Sequence, residues 1–479
     1  MMELNTNIQR KEKRPLKVIQ FGEGNFLRSF VDAIIDEANE QGVWNGNVVM
    51  VKPIGWGSIE SFKRQDCLYT TLVRGIEKGK KVDKTKVITC VQDIIDPYID
   101  FDAYMDLACQ DTLQFVVSNT TEAGIIYEEE ADFKDMPALT FPAKVTQLLY
   151  KRYQHFKGKK DKGFIFIPCE LIDHNGDKLK ECILKYARRW RLDDGFISWI
   201  CESNTFCNTL VDKIVPGYPK GEKEDLMERL GYEDSLITVS EPFTFWAIEG
   251  PSFVKKLFPI DRLGFQIIFS DNIKPYRERK VRILNGAHTS MICPSYLVGN
   301  ETVEESVKHP VIRKYMEKCI YSEIIPSLTH LLGEEELNQF ANDVMERFEN
   351  PFIRHEILSI ALNTTSKWKV RVLPSIKNYL NQYEELPKGL VFSFAAYLEF
   401  YRHPVEGKYN LQDDQYVLDC YKEVRKLPTK EFVKAILKDE KLWDEDLSSI
   451  LGFETLVCEY LESIESRGML EALTSILEA

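Results

Sequence analysis

The sequence lacks the features that mark membrane and secreted proteins. No apolar run approaches the roughly 20 residues of a membrane-spanning helix, and the start, Met1-Met-Glu-Leu-Asn, has no apolar signal core. The eleven cysteines are scattered and form no CxxC pair, a pattern typical of reduced thiols. We therefore expect a cytoplasmic protein that does not enter a membrane.

Patterns for metal and nucleic-acid binding are absent as well. The seven histidines form no HExxH or HxH motif, so no local metal site is expected. A net charge of −13 argues against a nucleic-acid-binding protein, because phosphate backbones require a basic surface. A small anionic molecule in a local basic pocket is still compatible with this charge. Nothing in the sequence indicates the oligomeric state.

Short apolar runs alternate with helical patterns in the first half of the chain, which favours a parallel sheet with crossover helices. The strand candidates are Lys17-Val-Ile-Gln-Phe, Val48-Val-Met-Val, Leu113-Gln-Phe-Val-Val-Ser-Asn and Gly163-Phe-Ile-Phe-Ile. From Asp271 onward, long amphipathic helical patterns replace them. We predict an α/β protein with a Rossmann-type, mostly parallel sheet domain over residues 1–270 and a mainly α-helical domain over residues 271–479.

A glycine turn follows the first strand candidate, where the chain reads Gly22-Glu-Gly24 before a helical pattern. Gly22 permits a tight turn, and Gly24 lets the backbone approach a ligand, as in dinucleotide-binding turns. The third glycine of that fingerprint is missing, so the motif fits a phosphate-binding turn and an ordinary α/β turn about equally well. Ligands of such sheets bind beyond the carboxyl ends of the strands, here residues 22–28, 118–122 and 169–175.

A second group of polar residues lies where the helical half begins. Lys280, Asn285 and His288 share one short segment, and at about 100° per residue in a straight α-helix they would occupy one broad face. Such groups can polarise a carbonyl and transfer a proton to it. On spacing alone, a solvated helix face is the simpler explanation.

Several separated motifs together resemble one family. They are Gly22-Glu-Gly-Asn-Phe-Leu-Arg, Gln65-Asp-Cys-Leu-Tyr-Thr, Thr121-Glu-Ala-Gly, Cys169-Glu-Leu-Ile-Asp-His-Asn-Gly, Asn208-Thr-Leu-Val-Asp-Lys-Ile-Val-Pro, Glu241-Pro-Phe and Lys280-x4-Asn285-x2-His288. In this order they resemble the mannitol dehydrogenase family, the polyol-specific long-chain dehydrogenases, which reduce ketoses or keto-sugar acids with a nicotinamide cofactor. The resemblance implies that residues 1–270 bind the dinucleotide and residues 271–479 bind the substrate.

Within that family, Cys169-Glu-Leu is typical of the branch that acts on tagaturonate and altronate. The resemblance thus implies reduction of tagaturonate to altronate, and the reverse. Mannitol and fructuronate enzymes tend to carry Cys-Asp-Asn at this point, so Leu171 stands where they have an asparagine that helps to polarise the carbonyl. Leucine cannot donate a side-chain hydrogen bond, and Asn285 or another group must serve instead. The alternatives are fructuronate reduction, mannitol or fructose oxidoreduction, a metal-dependent dehydrogenase, and a non-enzymatic sugar-acid or nucleotide sensor.

The resemblance also implies roles for individual residues. Lys280 is the expected acid–base residue, Asn285 the donor to the developing oxyanion, and His288 the residue that orients the substrate hydroxyls. Lysine performs this role near neutral pH only if burial or a nearby cation lowers its pKa. We therefore expect Lys280 to be shielded between the two domains.

Cofactor and substrate candidates complete the expected site. The cofactor candidates are Gln20, Phe21, Gly22, Gly24, Asn25, Phe26 and Arg28 at the glycine turn, and Thr121 and Glu122 after the third strand. The usual NAD signal is an acidic residue after the second strand, but this chain has Lys52 there, which could also favour the 2′-phosphate of NADP. Because the resembled branch uses NAD, we expect NAD and no metal.

The substrate candidates are Asp212, Lys367 and Arg371. The resemblance places Asp212 at a substrate contact, although an ion pair with Lys213 is an alternative. The carboxylate of a sugar acid needs a cation, which Lys367 and Arg371 offer unless their basic run is a solvated loop.

Overall fold

The computed structural model describes residues 2–121, 123–404 and 409–478. By the density of its internal contacts, the chain divides between Ile273 and Lys274 into two compact units. The first unit contains the strands of the described residues, and the second is built from helices. The predicted α/β class, with a parallel sheet followed by a helical domain, is confirmed.

The strands, numbered in chain order, are β1 Leu16–Phe21, β2 Asn47–Val51, β3 Tyr69–Glu77, β4 Lys80–Ile88, β5 Val91–Ile95, β6 Phe115–Ser118, β7 Ile165–Pro168, β8 Thr205–Phe206, β9 Asn208–Asp212, β10 Thr238–Ser240, β11 Phe245–Glu249 and β12 Gln266–Ser270. The helices of the first unit are α1 Asn25–Ser29, α2 Val31–Glu40, α3 Glu60–Arg64, α4 Phe101–Asp106, α5 Phe141–His155, α6 Asn175–Arg189, α7 Asp194–Ser203, α8 Lys223–Leu230 and α9 Phe253–Leu257.

The main sheet of the described residues has six parallel strands in the order β5-β2-β1-β6-β7-β8. Both of its faces are covered, because alternate side chains of β1 enter different apolar clusters. Val18 packs with Phe30 and Ile34 on one side, and Phe21 packs with Phe141 on the other. The strand order reverses between β1 and β6, which creates a crevice at their carboxyl ends where ligands of such sheets bind.

Two small sheets accompany the parallel one, with strand orders β10-β3-β4 and β12-β11-β9. The motif pattern did not indicate them. The β3–β4 hairpin turns at Lys78 and Gly79, whose φ values of 53° and 71° suit the tight turns that match the twist of a two-stranded ribbon.

The second unit begins with α10 Lys274–Arg279, a π-helical segment Lys280–Gly286 and α11 Ala287–Val298. Its further helices are α12 Val303–Lys308, α13 Pro310–Glu317, a second π-helical segment Lys318–Ile324, α14 Glu334–Phe348, α15 Ile357–Ile360, α16 Thr364–Arg371, α17 Leu373–Tyr383, α18 Lys388–Arg402, α19 Gln415–Val424, α20 Thr429–Leu437, α21 Glu440–Trp443, α22 Phe453–Arg467 and α23 Met469–Glu478. Across the residues that the structure describes, none of the helices has the length and apolar character to traverse a bilayer.

Candidate active site

Gly22 forms the turn that follows β1. Its φ of +120° lies where L side chains are rarely found, and an added Cβ would stand 3.2 Å from the backbone oxygen of Asn119. The Gly22 N–H donates to the carbonyl of Val51 at 3.1 Å. The turn is therefore wedged among the carboxyl ends of β1, β2 and β6, and only glycine fits there without strain.

Gly24, two residues further on, is open. A Cβ built on Gly24 would meet no atom within 4 Å, so its backbone is accessible to a ligand. Asn25 begins α1, and Phe26 stacks on Phe30 with ring centroids 5.0 Å apart.

Arg28 turns inward from α1 and is only 7% exposed. Its Nε donates to the carbonyl of Glu23 at 3.0 Å, its Nη2 donates to Oδ1 of Asn25 at 2.7 Å, and its Nη1 donates to the carbonyl of Leu236. Burial lowers the pKa of Arg28. The guanidinium thus holds the glycine turn from within, and its predicted contact with a cofactor phosphate stays a prediction.

A buried polar network lies beneath the turn. Gln20 Nε2 donates to the Gly22 carbonyl at 3.1 Å and to Oδ2 of Asp32 at 3.2 Å, and the Tyr69 hydroxyl donates to the same Oδ2 at 2.6 Å. Burial raises the pKa of Asp32 to about 7, although the two hydrogen bonds oppose that shift. Phe21, by contrast, points into the core, where its ring lies 5.0 Å from that of Phe141. Phe21 can therefore reach a cofactor only through its backbone.

Thr121, after β6, has a φ of +79° and an exposed side chain. A β-branched residue in this region is strained, and strained residues cluster at ligand sites. The neighbouring Thr120 is fixed, because its N–H and Oγ1 both donate to Oε1 of Glu170 at 3.0 Å. Burial raises the pKa of Glu170. Glu122 lies outside the described residues, and the approach of Thr121 to a nicotinamide stays a prediction.

Glu170 lies in the expected 169–175 segment, but the motif analysis gave its side chain no role in this crevice. Cys169-Glu-Leu served there only as a marker of the branch, whereas the structure shows Glu170 2% exposed and bonded to Ser118 Oγ at 3.1 Å. Leu171 beside it is 59% exposed. Leu171, the position at which the resemblance led us to look for an asparagine, is therefore an exposed apolar side chain.

Asp212 is the last residue of β9 and is 6% exposed. The Nζ of Lys213 donates to the carbonyl of Glu241 at 2.7 Å and to Oγ1 of Thr244 at 2.8 Å. The substrate contact of Asp212 stays a prediction.

In the second unit, Lys280 opens the π-helical segment that ends at Gly286. The expected helix is present, but the expectation of straight α-helical spacing was wrong: in a π-helix hydrogen bonds join residues five apart, so the angular arithmetic of an α-helix does not apply. Tertiary contacts hold this segment against α16. A Cβ on Gly286 would lie 3.1 Å from the carbonyl oxygen of Arg371, and Arg282 donates from Nη1 to the carbonyl of Val370. π-helical turns are rare in proteins, and those that occur are often found at functional sites.

The three catalytic candidates differ in their exposure. Lys280 and Asn285 are partly buried, whereas His288 is 8% exposed. The His288 ring packs 4.2 Å from Phe348 and 5.2 Å from His355 by ring centroids. Burial lowers the pKa of His355, which favours the neutral imidazole there.

Arg371 connects the basic segment to the helix that carries His288. Its Nη1 donates to Oγ1 of Thr289 at 3.4 Å, and Lys367 Nζ donates to the carbonyl of Ile360 at 2.8 Å. Burial lowers the pKa of Arg371. Burial, and secondarily the charge of Arg371, lowers the pKa of Lys367. The two cations thus lie on the partly buried helix α16 rather than in a solvated loop, close to one another and to α11.

Among the described residues, no group of three or more His, Cys, Asp or Glu side chains is arranged to hold a metal ion.

Comparison with solved structures identifies the class of fold. D-sorbitol dehydrogenase in substrate-free form superposes with a TM-score of 0.82 at 22% identity, covering 98% of this chain and 100% of that one. Mannitol 2-dehydrogenase of Pseudomonas fluorescens, in a ternary complex with NAD and D-mannitol, superposes with a TM-score of 0.67 at 18% identity over the whole of both chains. The fold is therefore that of the two-domain polyol dehydrogenases.

Sequence comparison is more specific. The mannitol dehydrogenase Rossmann domain matches residues 16–262, and the mannitol dehydrogenase C-terminal domain matches residues 272–465. Altronate oxidoreductase of Bacillus subtilis (strain 168) is 44% identical over 477 residues, which cover 99% of this chain and 98% of that protein. The chain belongs to the mannitol dehydrogenase family, as its motifs predicted.

Proposed function

We propose that this protein is a cytoplasmic NAD-dependent oxidoreductase that reduces tagaturonate to altronate and catalyses the reverse reaction. The observation that carries the proposal is the 44% identity to an altronate oxidoreductase along nearly the full length of both chains. The Cys169-Glu-Leu run supports the same branch of the family.

The glycine turn fits the phosphates of a dinucleotide. Gly22 has a conformation that only glycine adopts freely, and Gly24 leaves open space beside the backbone. Both stand at the carboxyl end of β1, beside the point where the strand order reverses, as in dinucleotide-binding folds. In this proposal the backbone from Gln20 to Phe26 holds the phosphates, and Thr121 lies towards the nicotinamide. Bound NADH supplies the hydride that the keto carbon accepts.

The polar residues of the π-helical segment provide the proton chemistry. As negative charge develops on the ketone oxygen, Asn285 donates a hydrogen bond to it, which is usually a large catalytic contribution. Lys280 donates a proton from Nζ to that oxygen, and accepts it in the reverse direction. His288 orients the substrate hydroxyls. The contacts of Gly286 and Arg282 with α16 support this assignment, because they hold the segment in a defined geometry.

A sugar acid differs from a neutral ketose by its carboxylate, and α16 offers two cations for it. The planar guanidinium of Arg371 suits bidentate binding of a carboxylate, and it donates a hydrogen bond to Thr289, the residue that follows His288. Lys367 lies one turn earlier on the same helix. These features support a sugar acid over mannitol or fructose, with Asp212 as a further proposed substrate contact.

The proposal is tested by following NADH absorbance with the purified full-length protein and tagaturonate, fructuronate or fructose, with and without a chelator. We expect turnover to be fastest with tagaturonate and unaffected by the chelator. Lys280→Ala should lower kcat by about 100-fold or more, whereas Lys308→Ala, which removes a surface lysine paired with Glu304, should not. Faster reduction of fructuronate or fructose would reassign the substrate. Dinucleotide binding without turnover would favour a sensor.

A further inference from the structure

A buried ion pair stands at the carboxyl ends of β2 and β5. The two strands pair in parallel with Val51 opposite Ile95, so the residues that follow them, Lys52 and Asp96, emerge side by side. The N–H of Lys52 donates to the carbonyl of Ile95 at 2.9 Å. In dinucleotide-binding folds, the residue at this end of the second strand meets the adenosine ribose.

The ammonium group of Lys52 is enclosed by acceptors. Its Nζ lies 2.5 Å from Oδ2 of Asp96 and 3.0 Å from the carbonyl oxygen of Gly57. The ring of Tyr98 adds a weaker contact, with its centroid 6.0 Å from Nζ. The side chains of Lys52 and Asp96 are only 2% and 3% exposed. The positive charge of Lys52, which the sequence offers as a partner for a 2′-phosphate, is therefore buried and already paired.

Asp96 is itself held in one orientation. Its Oδ1 accepts a hydrogen bond from the N–H of Tyr98 at 3.0 Å, and its carbonyl accepts from the N–H groups of Ile99 and Asp100 at 3.0 and 2.9 Å. One carboxylate oxygen thus faces Lys52 while the other fixes the turn after β5. A ligand that competed for Lys52 would have to break this pair, and breaking a buried ion pair is strongly unfavourable.

We infer that Asp96 is a specificity residue for the cofactor: by holding Lys52 in an ion pair, it denies a 2′-phosphate its cation and so selects NAD over NADP. The inference rests on the proposed function, which identifies the ligand as a nicotinamide dinucleotide. It assigns Asp96 a positioning role, because Asp96 acts through Lys52 and needs no contact with the ribose. It also explains how a chain with a lysine at the usual place of the NAD-specific acid can still exclude the 2′-phosphate.

The test is the binding of ADP-ribose and of 2′-phospho-ADP-ribose to the full-length protein by calorimetry, since neither probe requires a sugar substrate. Asp96→Asn keeps an oxygen for the Tyr98 N–H, removes the negative charge, and replaces the oxygen that faces Lys52 with an NH2 group that cannot accept from its Nζ. We expect the affinity ratio of the 2′-phosphorylated probe to the plain probe to rise by about 10-fold or more, the effect of one new charge-assisted hydrogen bond. Asp93→Asn, which removes a carboxylate of the same strand that pairs with the exposed Lys63, is the matched control and should leave the ratio unchanged.

Asp96→Asn leaves a buried charge without its partner and could impair folding. The double variant Lys52→Met with Asp96→Asn removes both charges at similar volume. Because Asp96 acts only through Lys52, this variant should bind ADP-ribose about as well as the wild type and gain no preference for the 2′-phosphate. A folded Asp96→Asn protein with an unchanged ratio overturns the inference, and so does a folded double variant that loses ADP-ribose affinity about 10-fold.

Failure of the proposed function gives a different result. If the wild-type protein binds ADP-ribose in preference to its 2′-phosphorylated form but reduces none of the three sugars, the proposed substrate is wrong and the selection by Asp96 is still supported. If the wild-type protein binds neither probe, the proposed function and this inference both fail.

Discussion

Gln20 donates a hydrogen bond of 3.2 Å from Nε2 to Oδ2 of Asp32 beneath the glycine turn. The same nitrogen donates to the carbonyl of Gly22 at 3.1 Å, so one amide connects the turn to a carboxylate of α2. The Tyr69 hydroxyl completes the contact with that carboxylate. The shape of the turn therefore depends on side chains that never reach the surface.

Replacing this amide should loosen the turn. In Gln20→Met the Gly22 carbonyl loses its side-chain donor, and we expect the free energy of unfolding to fall by about 1–3 kcal/mol and NADH to bind more weakly. Thermal unfolding with and without NADH measures both effects. Gln41→Met, which removes a surface hydrogen bond to Glu37, is the control. Equal unfolding midpoints and equal NADH affinities in the two variants would show that the amide has no such role.

Asp32 should make stability depend on pH. Burial raises its pKa from 3.8 to about 7, so between about pH 4 and pH 7 the folded protein retains a proton that the unfolded chain has released. The free energy of unfolding should therefore fall as pH rises through this window, with no further loss from this group above it. Urea unfolding at about pH 5 and about pH 8 should show a smaller difference for Asp32→Asn than for the wild type.

The exposed Asp106, which pairs with Lys151 at the surface, provides the matched control for that measurement as Asp106→Asn. Glu323 also lowers the free energy of unfolding as pH rises, in the wild type and in both variants, because burial raises its pKa to about 7. A fall that is as large in Asp32→Asn as in the wild type would assign the pH dependence to the other buried carboxyl groups whose pKa is raised, among them Glu323 and Glu170, and not to Asp32.

The two glycines of the turn should respond differently to alanine. Gly22→Ala forces a side chain into a φ of +120° and against the Asn119 carbonyl, which should cost about 1–3 kcal/mol of folding free energy together with cofactor binding. Gly24→Ala meets no protein atom, so the fold should persist while the KM for NADH rises. Thermal unfolding and steady-state kinetics separate the two effects. A Gly24→Ala enzyme with an unchanged KM would place the phosphates elsewhere.

Arg371 should distinguish acidic from neutral sugars. Arg371→Ala removes the proposed partner of the substrate carboxylate, so the KM for tagaturonate should rise by about 10-fold or more while that for fructose changes little. Steady-state kinetics with both substrates measure the difference. Lys369→Ala, whose lysine pairs with Asp444, is the control on the same helix. Equal effects of Arg371→Ala on both substrates would remove the carboxylate role.

Local patterns predicted much of the fold. The amphipathic patterns from Asp271 onward correspond to the helices of the second unit, and the four strand candidates correspond to β1, β2, β6 and β7. The β3–β4 hairpin was not predicted, because β4, Lys80–Ile88, is rich in lysine and mostly exposed. Its stability comes from pairing with β3 along its whole length, which an apolar pattern does not reveal.

The sequence indicated which residue types to consider for the candidate site, and it did not indicate their geometry. The glycine turn and the Lys280 segment both carry local signals. The inward orientation of Arg28 depends on Leu236, 208 residues away in sequence, and the pairing of Lys52 depends on Asp96, 44 residues away. Such contacts exist only after the chain has folded, and a single sequence contains no measure of them.

A π-helical segment, Lys280–Gly286, lies between α10 and α11. The number of residues in this segment therefore affects how the candidate catalytic side chains are oriented. A π turn contains one residue more than an α turn between its hydrogen-bonded groups. A deletion of one residue between Lys280 and Gly286 would remove that extra residue and let the helix relax to α geometry, which closes the wide turn that carries Lys280 and Asn285 and changes the angle between them. The lysine would then be aimed in another direction although its neighbours were chemically intact. Indels in this short stretch should therefore be more damaging than many substitutions.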